Sequence, residues 1–171
     1  IIVGKKEWVA PLKSNPMTRA LRVGKTTLAL LEKICQFYLN EDTLHQKLPV
    51  FQMLLQTEEQ LLHKANLLQN DLIKANIEAT VIKSTAFSGG GSLPDEEITS
   101  YAVSLKSVVK QGKQKQTFAE YMYYELLQLQ HPVLGVLRQG NIIFDVYTIP
   151  LQQIPDVAGF ISNVYQKYIH E

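Results

Sequence analysis

The sequence predicts an α/β protein whose second half is a small α+β unit, with a mainly antiparallel sheet and helices on one face. Three observations lead to this prediction. After Asn76 the hydrophobic period changes from that of a helix to the two-residue alternation of a half-buried strand. From residue 77 the elements follow in the order β-β-α-β-β-α. Their short connections favour antiparallel neighbours with helices packed as a second layer.

The first 76 residues predict one short strand followed by helices. The helix predicted at Thr26–Leu39 is apolar on nearly all sides, and such a helix is usually buried between layers or subunits. Cys35 lies on that helix and is predicted to be a buried structural thiol rather than a nucleophile. The predicted elements are a buried strand at Ile1–Val3 and helices at Lys5–Lys13, at Thr26–Leu39, from Pro49, and after a capping box of Thr57 with Gln60.

The change of period at residue 76 also predicts a domain boundary. Residues 1–76 then form the end of another domain with connecting helices, and residues 77–171 form the α+β unit. The predicted elements of that unit are strands at Ile77–Val81 and Tyr101–Leu105, a helix from Thr117 to Gln130, a hairpin of Val133–Leu137 with Ile142–Tyr147 about Gln139 and Gly140, and a helix from Asp156.

Composition excludes several classes of protein. With 17 Lys and Arg residues against 16 Asp and Glu, the net charge of +1 excludes a chain that grips nucleic acid by charge alone. The apolar runs are too short for a transmembrane helix, so no membrane association is expected. A single cysteine excludes an internal disulfide and suits a reducing cytoplasm. The apolar start at Ile1 predicts the C-terminal part of a longer protein, with a processed terminus as the alternative.

Two segments are candidates for binding an anion. Arg19 and Arg22 lie three residues apart, and two neighbouring guanidinium groups suit bidentate contact with a phosphate or carboxylate. If the segment is helical, both project from one face; two separate surface ion pairs are the alternative. The loop Ser88-Gly89-Gly90-Gly91-Ser92 could present several backbone N–H groups to an anion, or it could be a flexible surface connection.

Other motifs favour structural roles. Gly24-Lys25-Thr26-Thr27 resembles the end of a phosphate-binding loop, but Arg19 stands where that motif needs a glycine. Thr26 or Thr27 is predicted instead to cap the helix that follows. The histidines have no metal-ligand spacing, so no metal site is expected.

Three segments, in order and spacing, carry a family resemblance. They read Ile1-Ile2-Val3-Gly4-Lys5-Lys6-Glu7, then Asn15-Pro16-Met17-Thr18-Arg19-Ala20-Leu21-Arg22 continuing to Ala29, then Gly89-Gly90-Gly91-Ser92-Leu93-Pro94. Together they resemble the C-terminal part of bacterial selenocysteine synthases, the L-seryl-tRNA(Sec) selenium transferases. The likeness is strongest over residues 1–48 and 88–94 and weak in the last third.

The resemblance implies a pyridoxal-phosphate (PLP) enzyme of fold type I, the aspartate-aminotransferase fold. Residues 1–76 would be the end of its large domain with connecting helices, and residues 77–171 its small domain. Its implied reaction converts seryl-tRNA(Sec) to selenocysteinyl-tRNA(Sec), with selenophosphate as selenium donor. The cofactor lysine of the family lies on a Ser-Gly-Asp-Lys segment upstream of the strand that matches Ile1–Val3, so no catalytic residue is expected in this chain. The family also implies a homo-oligomer, a ring of dimers.

By the same resemblance, Arg19 and Arg22 bind the anionic selenium donor, and Ser88, Gly89, Gly90, Gly91 and Ser92 approach the substrate. The sequence departs from the family at Val136 and Tyr147, where members often carry arginine. These departures leave room for a paralogue that acts on a small amino acid or amino sugar. A separate alternative is a non-catalytic assembly module, with the apolar helix at Thr26–Leu39 as its interface and no cofactor lysine.

Overall fold

A computed structural model describes residues 2–87, 97–108 and 115–170, with the side chains of 41–43 and 115–117 left out. Contacts divide the chain into two compact units, Ile1–Gln52 and Met53–Glu171. None of the helices in the described ranges has the length and apolar character that a bilayer crossing requires.

The first unit is helical. Asn15 ends the first helix and starts the second, because its Oδ1 accepts the Met17 N–H at 2.9 Å. The helix predicted at Lys5–Lys13 is thereby confirmed, shifted by one residue at each end. The helices are α1 (Lys6–Ser14), α2 (Met17–Ala20), α3 (Lys25–Tyr38), α4 (Glu41–Lys47) and α5 (Pro49–Leu54), the last running across the division between units.

The predicted strand is wrong, and the predicted burial of α3 is not found within the single chain. Ile2 and Val3 form no strand and are 71% and 90% exposed, because no strand among the described residues pairs with them. Helix α3 forms as predicted, but none of its residues is buried. Leu30 is 62% exposed and Cys35 is exposed, because no described residue covers these faces of the helix.

The second unit contains a four-stranded sheet in the spatial order β1-β2-β4-β3, with every neighbouring pair antiparallel. The strands are β1 (Ala79–Phe87), β2 (Glu97–Leu105), β3 (Val136–Arg138) and β4 (Asn141–Asp145). Strands β1 and β3 form the edges. The outer side of β1 is partly occupied, since the Gln69 side-chain amide donates to the Ala79 carbonyl at 2.9 Å.

Three helices cover one face of this sheet: α6 (Glu58–Lys74), α7 (Lys115–Leu127) and α8 (Ile154–His170). Helix α6 packs on β1 and β2, α7 packs on β3 and β4, and α8 contacts both other helices. The core lies between the layers and includes Val103, Leu105, Ile142, Phe144, Phe118, Met122 and Ile161. The predicted fold class and the order β-β-α-β-β-α are confirmed.

Helix α6 begins with the predicted capping box. The Gln60 N–H donates to Thr57 Oγ1 at 3.2 Å, and the Thr57 N–H donates to Gln60 Oε1 at 3.0 Å. Its stripe of Leu61, Ala65, Leu68 and Leu72 is fully buried. The predicted division at residue 76 grouped this helix with the first part of the chain. In the structure it packs on the sheet, since that stripe needs an apolar partner.

The hairpin of β3 and β4 turns at the predicted residues. Gln139 and Gly140 have φ of 51° and 72°, the left-handed conformation that a two-residue hairpin turn requires. The strands are shorter than predicted. Gly135, just before β3, approaches β4 so closely that a Cβ there would lie 2.8 Å from Ile142 Cγ1 and 3.1 Å from Phe144 Cε1.

We therefore expect Gly135→Ala to destabilise the fold by roughly 1–3 kcal/mol, because the added methyl would overlap the buried side chains of Ile142 and Phe144 and force them to shift. Gly159→Ala is the matched control: Gly159 is a helical glycine with nothing within 4 Å of its Cβ position. The control should stabilise by roughly 0.5–1 kcal/mol through helix propensity. Urea unfolding midpoints measure both, and equal midpoints for the two variants would contradict the close approach.

Candidate functional site

The arginine segment is held by side-chain contacts to α1. The Thr18 hydroxyl donates to the Leu12 carbonyl at 2.6 Å, and the Asn15 side chain caps the first turn of α2. Helix α2 includes Arg19 but ends at Ala20, so Arg22 lies beyond it. The two guanidinium groups are therefore not related by a shared helical face, as they would be if the helix continued.

The sequence around the two arginines contains no acidic residue between Glu7 and Glu32. Both residues are exposed, and neither makes an ion pair with the side chains that the structure describes. The first turns of α2 and α3 contain no acidic residue. Surface ion pairs, the alternative interpretation of these arginines, are thus not found among the described residues.

The start of α3 adds to this cationic segment. Gly24 is its N-cap and makes no side-chain capping bond, so the predicted cap by Thr26 or Thr27 is wrong. The N–H groups of the first turn have no side-chain acceptor at the cap, and Lys25 is the first helical residue. The N-terminus of such a helix favours the binding of an anion, because its free N–H groups and its dipole both attract negative charge. Helices α1 and α2, rather than the strand of a phosphate-binding loop, precede it.

The second candidate segment, Ser88 to Ser92, lies outside the described residues. It belongs to the connection between β1 and β2, whose ends Phe87 and Glu97 face each other in the register. In the described ranges no group of three or more His, Cys, Asp or Glu side chains could hold a metal ion.

A buried polar cluster escaped the sequence-based prediction. Lys64 occupies a core-facing position of α6 and is 5% exposed. Its Nζ donates to Gln56 Oε1 at 2.7 Å and lies 3.5 Å from the Tyr147 carbonyl. Burial lowers its pKa to about 8, although the nearby Asp145 carboxylate acts in the opposite direction. Its position between Leu61 and Leu68 on the stripe is the signal that could have identified it.

Known proteins resemble this chain over most of its length. The family model described as L-seryl-tRNA selenium transferase matches residues 1–150. The L-seryl-tRNA(Sec) selenium transferase of Alkaliphilus oremlandii is 32% identical over 168 residues, which cover 97% of this chain and 34% of that protein. The protein of the same name in Aquifex aeolicus is 33% identical over 151 residues, which cover 87% of this chain and 31% of that protein. The L-seryl-tRNA(Sec) selenium transferase of Haemophilus influenzae strain Rd is 35% identical over 167 residues, which cover 96% of this chain and 34% of that protein.

The chain thus spans about a third of the length of these relatives. The family match includes all three segments on which the resemblance was first based, among them the arginine segment and the glycine-rich loop. On this match over most of its length, the chain belongs to the L-seryl-tRNA selenium transferase family.

Proposed function

We propose that this chain is the C-terminal part of a PLP-dependent enzyme that converts seryl-tRNA(Sec) to selenocysteinyl-tRNA(Sec) with selenophosphate. The observation that carries the proposal is the family match over residues 1–150. Relatives named L-seryl-tRNA(Sec) selenium transferase support it over nearly the whole chain.

Arg19 and Arg22 would bind the selenium donor. A phosphate-bearing donor carries several negative charges, and guanidinium groups bind such oxygens through paired, charge-assisted hydrogen bonds. The exposure of both side chains, the acid-free first turns and the open start of α3 support this role. Ser88, Gly89, Gly90, Gly91 and Ser92 are second-rank candidates for contact with substrate.

The cofactor would be held by residues upstream of this chain. PLP, when bound, supplies an electron sink for chemistry at the serine α-carbon. No lysine of this chain stands in the Ser-Gly-Asp-Lys segment that carries the cofactor in the family. Lys64, the buried lysine among the described residues, already contacts Gln56 and the Tyr147 carbonyl through its Nζ. What this chain contributes is the binding and orientation of an anion, for which fixed cations are suited.

A paralogue acting on a small amino acid or amino sugar is the second candidate, favoured by the departures at Val136 and Tyr147. Val136 is 55% exposed on the edge strand β3, whereas Tyr147 is 8% exposed and belongs to the core. Turnover of seryl-tRNA(Sec) by the full-length enzyme distinguishes the two candidates.

In the full-length enzyme, we expect Arg19→Ala or Arg22→Ala to reduce selenium transfer strongly while leaving the fold intact. One charge-assisted hydrogen bond contributes roughly 1.5–3 kcal/mol, or about tenfold to a hundredfold in rate. Lys at either position should restore only part of the activity, because it keeps the charge but loses the planar fork.

The measurement is turnover against selenium-donor concentration. Arg138→Ala is the matched control, since Arg138 is an exposed arginine on β3, and it should leave the kinetics unchanged. Unchanged kinetics in both test variants would remove these arginines from the site.

We expect the isolated chain to form no specific covalent adduct with PLP, because the cofactor lysine lies upstream. The chain is incubated with PLP, reduced with borohydride and analysed by peptide mass spectrometry. Stoichiometric modification of one lysine would contradict the assignment of the attachment site to the missing part of the protein.

We also propose that the parent protein is a homo-oligomer with α3 at or near a subunit boundary, since α3 exposes large apolar side chains such as Leu28, Leu30 and Ile34. Full-length protein should sediment as an assembly, and Leu30→Lys should shift it towards smaller species. Glu32→Lys, an exposed change on the same helix, is the control. Sedimentation of the unchanged full-length protein as a monomer would refute the proposal.

A further inference from the structure

We propose that a groove beside the start of α8 binds an organic cation, a guanidinium or ammonium group carried on an apolar arm. The groove has a volume of about 390 Å³, within the range of about 300–1,000 Å³ that is typical of small-molecule sites. All of its lining residues belong to the second unit and none to the arginine segment, so this site does not depend on the proposed reaction. The lining residues are His131, Pro132, Gln153, Asp156, Val157 and Phe160.

Backbone hydrogen bonds hold the two segments that enclose the groove. In the chain after α7, the Val133 N–H donates to the Leu126 carbonyl at 3.2 Å. In the chain before α8, the Gln153 N–H donates to the Pro150 carbonyl at 2.9 Å. Val133 and Ile154 are buried and anchor these two segments in the core. A ligand therefore meets a preformed site, and little ordering of the chain opposes its binding.

Part of the lining is apolar and aromatic. Val157 and Phe160 lie three residues apart on α8, so they share one face of that helix. The His131 ring stacks on the Phe160 ring, with 12° between the ring planes and 6.2 Å between the centroids. Aromatic rings attract a cation held over their faces, and the attraction is stronger where water is excluded. The same apolar surface suits the alkyl arm that carries the cation.

The polar side chains of the groove are not engaged elsewhere in the described part of the chain. Neither the Asp156 carboxylate nor the Gln153 amide makes a hydrogen bond or an ion pair with a described side chain. Both groups have oxygens that accept hydrogen bonds, whereas guanidinium and ammonium groups only donate. Two unengaged acceptors in one groove therefore complement such a cation, and the bond to the carboxylate is charge-assisted.

The charge of the lining favours a cation over an anion. Among the described residues that line the groove, Asp156 is the one acidic side chain, and none is lysine or arginine. A phosphate or carboxylate ligand would therefore meet the Asp156 charge without a compensating cation. Asp156 lies in the first turn of α8, whose dipole amounts to about half a positive charge at that end. This dipole reduces the attraction of the carboxylate for a cation but does not cancel its full charge.

Two sources can supply such a cation. One is a free small molecule, and the other is an arginine side chain from a second copy of this chain in the proposed homo-oligomer. Both would bring the same group, a planar guanidinium on an alkyl arm, to Asp156 and the aromatic rings. The two sources differ in whether the groove contributes to assembly, and this difference can be measured.

Saturation-transfer NMR of the full-length protein, with detection of the ligand, tests the proposal at pH 8, where imidazole groups are ordinarily neutral. The probe is Nα-acetyl-arginine methylamide, which carries one guanidinium on a three-carbon arm. The matched probe is its citrulline analogue, in which a neutral urea of the same shape replaces the guanidinium. The arginine probe should bind with a Kd on the order of 1 mM, as expected for a ligand of this size. The citrulline probe should bind about fivefold to tenfold more weakly.

Three variants locate the binding in the groove. Asp156→Asn should weaken binding of the arginine probe about fivefold to tenfold, because it removes the carboxylate charge. Phe160→Leu should weaken it about threefold, because it keeps an apolar side chain but removes the ring. Glu59→Gln is the matched control, since Glu59 is also an exposed carboxylate in the first turn of a helix, and it should leave the affinity unchanged. Circular dichroism checks that each variant is folded.

Sedimentation of the full-length Asp156→Asn variant identifies the source of the cation. A shift towards smaller species indicates an arginine from a second copy, whereas an unchanged assembly indicates a free ligand. Equal affinity for the arginine and citrulline probes, or affinity for the arginine probe that Asp156→Asn leaves unchanged, would each overturn the proposal.

Discussion

The apolar stripe of helix α6 is the constraint on which the second unit depends. Leu61, Ala65, Leu68 and Leu72 are fully buried, so the helix must lie against the sheet along most of its length. The reciprocal capping of Thr57 and Gln60 fixes where this helix begins. That position sets where the preceding residues meet the end of β4. Packing, capping and the polar cluster at Lys64 are therefore successive consequences of one buried face.

Sequence patterns predicted the elements whose signals are local. The capping box at Thr57 and the turn at Gln139 and Gly140 depend on residues within a few positions of each other, and both were confirmed. Burial is not local, which is why Ile2 and Val3 were predicted wrongly and why Cys35, predicted to be buried, is exposed in the single chain. An apolar pattern shows that a residue can be covered, but the covering partner has to be present. Helix α6 packs on a sheet that follows it in the chain, and a local pattern does not show such a partner.

The candidate site was predicted from a resemblance more than from its own physics. Spacing alone left two interpretations of Arg19 and Arg22, an anion site or surface ion pairs. Among the described side chains the structure shows no ion pair of either arginine, and it shows no shared helical face. Lys64 carries no motif. A single charged residue in an amphipathic helix is easily assigned to the polar side. Its burial depends on the path of the chain after β4, which lies more than eighty residues away.

The outer edge of β1 has a consequence for the chain in isolation. A nine-residue strand at the border of a sheet offers its unpaired peptide groups to any extended chain nearby. Two features oppose such pairing. The Gln69 amide occupies the Ala79 carbonyl, and the exposed Lys83 places a charge in the middle of the strand. Two copies brought edge to edge about Lys83 would bring like charges face to face. We therefore expect the outer edge of β1 to oppose the edge-to-edge aggregation to which exposed sheet edges are prone.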